Sequence, residues 1–373
     1  MALILNEEQK MLKDSAADFL KERSPIESLR RLRDTKDKQG YDTQVWQEMI
    51  EMGWTGLNIA EQYGGLGFGY VGLGQILEEI GRTLACSPLI SSVVLGGALV
   101  NLIGTEAQKS ILLSEIANGN MIVTAALDET NQHNPLVVNT MASKTEHGFV
   151  INGQKKFVLD GHIANQIIVS ARTDSGIQLF VIPSDSEGLS VNQRILMDHR
   201  NASDISFENV SVPSSALLGK QEDAAEMIPK ALDVARICLS AEMLGSMQEA
   251  FERTIAYLKE RQQFGVPIGI FQGLQHRAAH MYCEIELCKG LVMKALQAID
   301  MDSPDLAKLA STAKAKCGEV LQLVTNEAIQ MFGGIGMTDD EEIGFFLKRA
   351  RVAQQTFGDY NYHYDRYARL SGF

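Results

Sequence analysis

Cysteine is scarce and badly spaced in this sequence. The 373 residues hold five, Cys86, Cys238, Cys283, Cys288 and Cys317, an odd number with no CxxC pair. That pattern excludes a disulfide framework and a structural zinc site, and reduced thiols in a cytoplasmic protein are expected. Basic residues are in deficit too: 34 Lys and Arg against 47 Asp and Glu leave a net charge of −13. A sequence-blind nucleic-acid binder needs clustered cations, so that class is excluded. No apolar stretch approaches the length of a membrane span. The opening MALILNEEQKMLKD has neither a basic n-region nor a cleavage site, so no membrane insertion is expected. With 45% hydrophobic and 22% charged residues, a chain of this length can bury a large core without staples.

Several catalytic signatures are missing as well. There is no GxxxxGK[ST] phosphate loop. The glycine clusters Gly64-Gly65-Leu66-Gly67-Phe68-Gly69 and Gly333-Gly334-Ile335-Gly336 each follow helical sequence, where a dinucleotide fingerprint requires a strand. They read as helix-ending turns. His276 and His280 stand one helical turn apart as HRAAH, without the glutamate of a zinc-protease HExxH. They read as bundle-helix histidines, and no metal is expected. Spacing alone assembles no Ser–His–Asp set.

What is present is a sequence of three periodicities. Leu12, Ala16, Phe19 and Leu20, then Trp46, Met49 and Ile50, mark amphipathic helices up to about Asn118. Short Val-, Ile- and Phe-rich runs follow, from about Met121 to Pro213. Asn152-Gly153 between two of them predicts a two-residue hairpin turn, because both turn positions need positive φ. Long helices return after about Glu222; Leu232, Ala235, Leu239 and Met243 form one stripe, and Gly265, Pro267 and Gly269 mark a break. Helix, then β, then helix is an α+β layout, with domains expected at residues 1–118, 119–218 and 219–373. Nothing in these patterns specifies a chemistry.

Four strings do. They are Met52-Gly53-Trp54 through Gly64-Gly65-Leu66-Gly67; Ile151-Asn152-Gly153-Gln154-Lys155; Arg261-Gln262-Gln263-Phe264-Gly265 with Phe271-Gln272 and Gln275; and Gln330-Met331-Phe332-Gly333-Gly334-Ile335-Gly336. In this order, inside these segment types, the chain resembles the acyl-CoA dehydrogenase family over essentially its whole length. The resemblance implies an N-terminal helical domain, a central antiparallel β-barrel domain and a C-terminal four-helix bundle. It also implies extended FAD at a subunit interface and α,β-desaturation of an acyl-CoA. In that reaction a carboxylate removes the α-proton and the β-hydrogen leaves as hydride to flavin N5. An electron-transferring flavoprotein is the implied acceptor, and a homotetramer or a heterotetramer with a paralogous subunit the implied assembly.

By the same resemblance Arg261, Gln263, Phe264, Gln272, Gln330 and Gly334 match positions that reach the FAD of a neighbouring subunit. An arginine suits a pyrophosphate because it offers forked, permanently charged donors. The flavin-facing half departs from the family pattern. The segment that usually carries a Thr-Glu-Pro-Gly stretch reads Ala125-Ala126-Leu127-Asp128-Glu129-Thr130, with Asp128 where a neutral hydroxyl donor is typical; Phe157 takes the usual tryptophan position, and Leu159 falls where a threonine often bonds N5. The usual catalytic glutamate is Phe357, before Gly358-Asp359, and the family's minority position is Ala235, before Arg236. Arg236 is expected to bind substrate.

Asp359 and Glu242 are the nearest candidate bases; Asp359 reads equally as a turn or capping residue, and Glu242 as the partner of Arg236 or Arg253. His363 reads as structural. Three functions follow: an active dehydrogenase with an unusual base, a weakly catalytic or non-catalytic FAD-contributing subunit of a heterotetrameric dehydrogenase, or a desulfinase-like acyl-CoA flavoprotein.

Overall fold

The computed structural model describes residues 3–220 and 224–373. Six helices come first: α1 Glu7–Arg23, α2 Ile26–Thr35, α3 Thr43–Glu51, α4 Tyr70–Thr83, α5 Gly97–Ile103 and α6 Glu106–Ala117. Seven strands follow: β1 Val123–Ala126, β2 Met141–Lys144, β3 Gly148–Leu159, β4 Gln166–Thr173, β5 Gly176–Pro183, β6 Leu189–Ile195 and β7 Asn201–Pro213. The remainder holds α7 Met227–Glu260, a short hairpin of β8 Gln262–Gln263 and β9 Val266–Pro267, α8 Gln272–Asp300, α9 Leu306–Phe332, α10 Ile343–Gln355 and α11 Tyr360–Ser371. The helix–β–helix order is as the periodicities predict. Two compact units result: one from the chain up to Thr35, Tyr70–Cys86 and Arg236–Phe373, the other from Lys36–Gly69 and Ser87–Ala235.

In the second unit the strands make one sheet in the order β1-β4-β2-β3-β7-β6, with β5 on the free side of β4. Two details correct the expectation of an antiparallel barrel. β1 runs parallel to β4, as does β2 through the pair Met141↔Arg172. The sheet is also curled and open: among the described residues no other strand than β4 pairs with β5, which has besides a single bridge from Phe180 to Leu217, and no other than β7 pairs with β6. Hydrophobic alternation reports which face is buried, and says nothing of which strand lies alongside. The core on that face includes Ile151, Ile167, Val169, Phe180, Ile205 and Phe207.

The predicted Asn152-Gly153 hairpin is not there. β3 runs through both residues, and its register against β7 shifts between Ile151 and Gly153, which is a β-bulge. Asn152 stabilises the bulge across the sheet: its Oδ1 accepts from the Asn209 N–H at 2.8 Å. Gly153 has φ +149, and a Cβ there would stand 2.5 Å from Thr140 Oγ1. The glycine serves a close strand approach where a turn was read.

α7 is buried on nearly every side from Ala231 to Gln248, wider than the single stripe predicted. Where α4 crosses it, a Cβ on Gly81 would run into the Glu242 carbonyl, and one on Gly245 into the Glu78 carbonyl. Two glycines therefore let these backbones touch. Five helices, α7 to α11, stand where four were expected, because the chain reverses at Phe357 (φ +60) and Gly358 (φ +101). Among the described residues no helix is long and apolar enough to cross a membrane, and no His/Cys/Asp/Glu group could hold a metal. All five cysteines are free.

Candidate active site

The turn between α10 and α11 carries the position where the resemblance expects a base. α10 ends at Gln355, and its last carbonyls lack intrahelical partners. Buried cations from other helices take them. Lys314 Nζ, from α9, donates to Gln354 O at 3.0 Å and Gly358 O at 2.9 Å. Arg236 Nε, from α7, donates to Phe357 O at 3.1 Å, and His363 Nε2 lies 3.2 Å from the same oxygen. Gly358 is required there, since a Cβ would come within 2.5 Å of the Tyr362 ring. Burial, with the charge of Arg236 beside it, pushes the Lys314 ammonium down to about 7.

Arg236 is 1% exposed. Beyond Phe357 O it donates to Tyr362 Oη at 3.2 Å and lies over the Tyr362 ring at 5.4 Å. These donors hold the turn. Asp359 is the N-cap of α11, its carboxylate accepting from Tyr362 N–H at 2.9 Å. The Glu242 carboxylate accepts from Arg349 of α10 at 3.0 Å, and both side chains are 2% exposed. Arg253 pairs with Glu249 and Glu342. The Glu242 partner lies 107 residues downstream, beyond what helical spacing can connect.

A second group of candidates gathers at one end of this unit. Tyr257, near the end of α7, stacks on Phe332, the last residue of α9, at 4.3 Å. That contact ties the hairpin β8–β9 to the turn Gly333–Met337. Phe264 at the hairpin tip is 91% exposed with φ +55. Arg261, Gln263, Gln272 and Gln330 are exposed as well, and a Cβ on Gly334 would meet nothing within 4 Å. The Arg261 guanidinium has no hydrogen bond or ion pair among the described residues. A charged fork, open backbone and amide donors suit an extended diphosphate such as that of FAD.

In the other unit, the flavin-facing candidates offer little side-chain polarity. Phe157 is 45% exposed and bends at φ +52, leaving its ring free to stack. Leu127 is buried, with its carbonyl accepting from Lys155 Nζ at 3.2 Å. Leu159 O accepts from Thr124 Oγ1 at 2.6 Å. Asp128 accepts from Asn134 N–H at 2.8 Å and sits 2.7 Å from His133 Nδ1. Beneath them lies a buried network that sequence reasoning missed. Lys155 Nζ meets Glu129 Oε1 and Ser170 Oγ, each at 2.8 Å, while Glu129 also accepts from the N–H groups of Asn139 and Thr140.

Burial alone would raise the Glu129 carboxyl, but the bonds from Lys155 and Thr140 outweigh it and hold the group near about 2. A carboxyl with a depressed native value stabilises the fold above its unfolded value of 4.5, and that stability is lost as pH falls towards 2. The urea midpoint of the wild type should therefore fall across this window, and Glu129→Gln should flatten that limb; an unchanged acid limb in the variant would count against the network.

The cationic clamp at Lys314 was also missed, although a signal existed: Lys314 sits in the apolar stripe Ala310, Ala313, Cys317, Leu321 of α9. A lysine on the buried face of a helix announces a charge that must find partners.

Residues 6–120, 125–210 and 225–371 match the acyl-CoA dehydrogenase N-terminal, middle and C-terminal domains. The chain is 30% identical to the mitochondrial 2-methylacyl-CoA dehydrogenase of Solanum tuberosum, over 96% of its own length and 89% of the relative's. Butyryl-CoA dehydrogenase from Megasphaera elsdenii superposes with a TM-score of 0.91 at 27% identity, covering 100% of both chains. A variant of the Tcur3481-Tcur3483 steroid ACAD superposes at 0.87 with 30% identity over 98% of each. Three matched domains and alignment along almost the entire length establish that this chain belongs to the acyl-CoA dehydrogenase family, whose members are oxidoreductases acting on CH–CH groups.

Proposed function

We propose that this chain serves the α,β-desaturation of an acyl-CoA thioester as a subunit that lends FAD contacts to a neighbour. In this reading its own turn at Phe357 removes no proton. The observation that carries the reading is the fate of the two carboxylates: Asp359 caps α11 and Glu242 neutralises Arg349 inside the bundle. Arg261, Gln263, Gln272 and Gln330 would meet the diphosphate side of the cofactor, Gly334 would admit it to the backbone, and Phe264 would cover it. Leu127, Phe157 and Leu159, in the other unit, would offer an apolar wall to a separate flavin ring. When bound, FAD would supply the hydride acceptor at N5. The chain's side chains position it and exclude water. An electron-transferring flavoprotein would collect the electrons. The partner would be a paralogous subunit that carries its own base, and the ChsE4-ChsE5 complex from Mycobacterium tuberculosis, which shares this fold, is a precedent for two chains in one assembly.

One observation favours a second reading, in which the chain works alone with Asp359 as base. Releasing an N-cap costs only about 1 kcal/mol, which substrate binding could supply. A visible spectrum separates the two. The singly expressed chain should show little flavin absorbance until a base-carrying paralogue is co-expressed. A yellow, fully loaded homotetramer that bleaches on adding an acyl-CoA would overturn the proposal, and loss of that bleaching in Asp359→Asn would then identify the base. A yellow protein that no saturated acyl-CoA bleaches would point to a desulfinase-like reaction.

A further inference from the structure

The turn Thr356–Asp359 is held in a conformation it would not keep unaided. Phe357 is a non-glycine residue at φ +60, followed by Gly358 at φ +101. A left-handed residue with a side chain is strained, and persists where its surroundings over-determine it. Here the surroundings are unusual. Lys314 brackets Phe357 by binding the carbonyls of Gln354 and Gly358, and Arg236 binds the carbonyl of Phe357 itself. The two cations come from different helices, α9 and α7, and both side chains are withdrawn from solvent.

Taking an ammonium out of water is costly unless its donors are used. Water or neutral side chains could satisfy the same carbonyls more cheaply. The burial of two cations therefore points to rigidity of the strained turn as what is gained. Charge-assisted bonds are shorter and stronger than neutral ones, and cations also favour a helix C-terminus such as that of α10.

We infer that Lys314 is a positioning residue, whose two bonds fix the 354–358 backbone and thereby the direction of whatever side chain occupies position 357. Lys314 does not touch the reacting atoms in this reading; it acts through the turn. The clamp is intact although position 357 carries no acid. The shape of the candidate site is thus preserved independently of its base. The inference rests on assigning the turn to the candidate site. Its test needs neither flavin nor acyl-CoA, so a failure would leave that assignment standing.

The test is amide hydrogen exchange on the full chain, comparing wild type with Lys314→Met. Losing two charge-assisted bonds should speed exchange of the Gly358 and Tyr362 amides by about tenfold or more, with α8 and the first half of α9 little changed. A second readout places a reporter on the turn: in Phe357→Trp, fluorescence anisotropy should drop when Lys314→Met is added. If Lys314→Met does not fold, Lys314→Gln, which keeps two neutral N–H donors, should give intermediate protection of the turn. Exchange at 356–362 that stays at the wild-type rate, or that rises equally across α8 and α9, would overturn the inference.

Discussion

Replacing Phe357 with glutamate is expected to raise acyl-CoA-dependent flavin bleaching by about 100-fold or more, the usual contribution of a well-placed general base. The turn should tolerate the change because its anchors are main-chain groups. Arg236 and His363 address the Phe357 carbonyl, and Lys314 the Gly358 carbonyl, so none depends on the Phe357 side chain. The positive φ burdens glutamate no more than phenylalanine. Position 357 is half-buried, so the new carboxylate would not be stranded in a dry core. The charge of Arg236 nearby favours the ionised form that a base requires. The measurement is anaerobic single-turnover bleaching of a flavin-loaded assembly whose partner subunit has had its own base replaced, with Phe357→Gln as the control of equal size. If both variants bleach equally slowly, with flavin content and acyl-CoA affinity unchanged, position 357 does not face the α-carbon. In the alternative with Asp359 as base, wild type already bleaches and Asp359→Asn is silent. Adding Phe357→Glu to Asp359→Asn would then restore the reaction.

The layout of helices, strands and helices was legible because burial imposes a period on each element, and periods can be read from one chain. Leu20, Met49, Val169 and Met243 are buried where the pattern put them. What lies between elements was not legible. β1 pairing parallel with β4, and Glu242 finding Arg349, are contacts across long separations that leave no local mark. Asn152-Gly153 misled for a different reason: its positive φ belongs to a bulge in β3 as naturally as to a hairpin turn, and only the register with β7 distinguishes them. The residues read as reaching a neighbour's cofactor do come together in space. Arg261, Gln263, Phe264, Gln272, Gln330 and Gly334 are brought to one exposed end because two short strings, each contiguous in sequence, are joined by the Tyr257–Phe332 stack. The base question was left open by sequence, since a carboxylate in a string reads alike whether it caps a helix or meets a substrate. Asp359 is shown by geometry to cap.

Glu242 is expected to be indispensable for stability and dispensable for chemistry. Removing one member of a buried ion pair leaves the other charged and without compensation, which costs roughly 3–5 kcal/mol. Glu242→Gln and Arg349→Met should each therefore lower the unfolding free energy by about that much, well above the effect of an ordinary surface substitution. Arg349 should be the more sensitive position, because its guanidinium also donates to Leu84 O at 3.4 Å and so joins α10 to the end of α4. Glu242 lies beside the contact at Gly81, where two backbones meet without side chains between them, so no neighbour can move in to fill a gap. Replacing both members with apolar residues of similar volume, Glu242→Leu with Arg349→Met, should recover most of the loss, since a hydrophobic pair needs no compensation. Urea denaturation of Glu242→Leu, Arg349→Met and the double variant measures this as a coupling energy. A catalytic Glu242 would behave in the opposite way: Glu242→Gln would unfold like wild type and lose flavin bleaching, and that pair of results would return the base to α7.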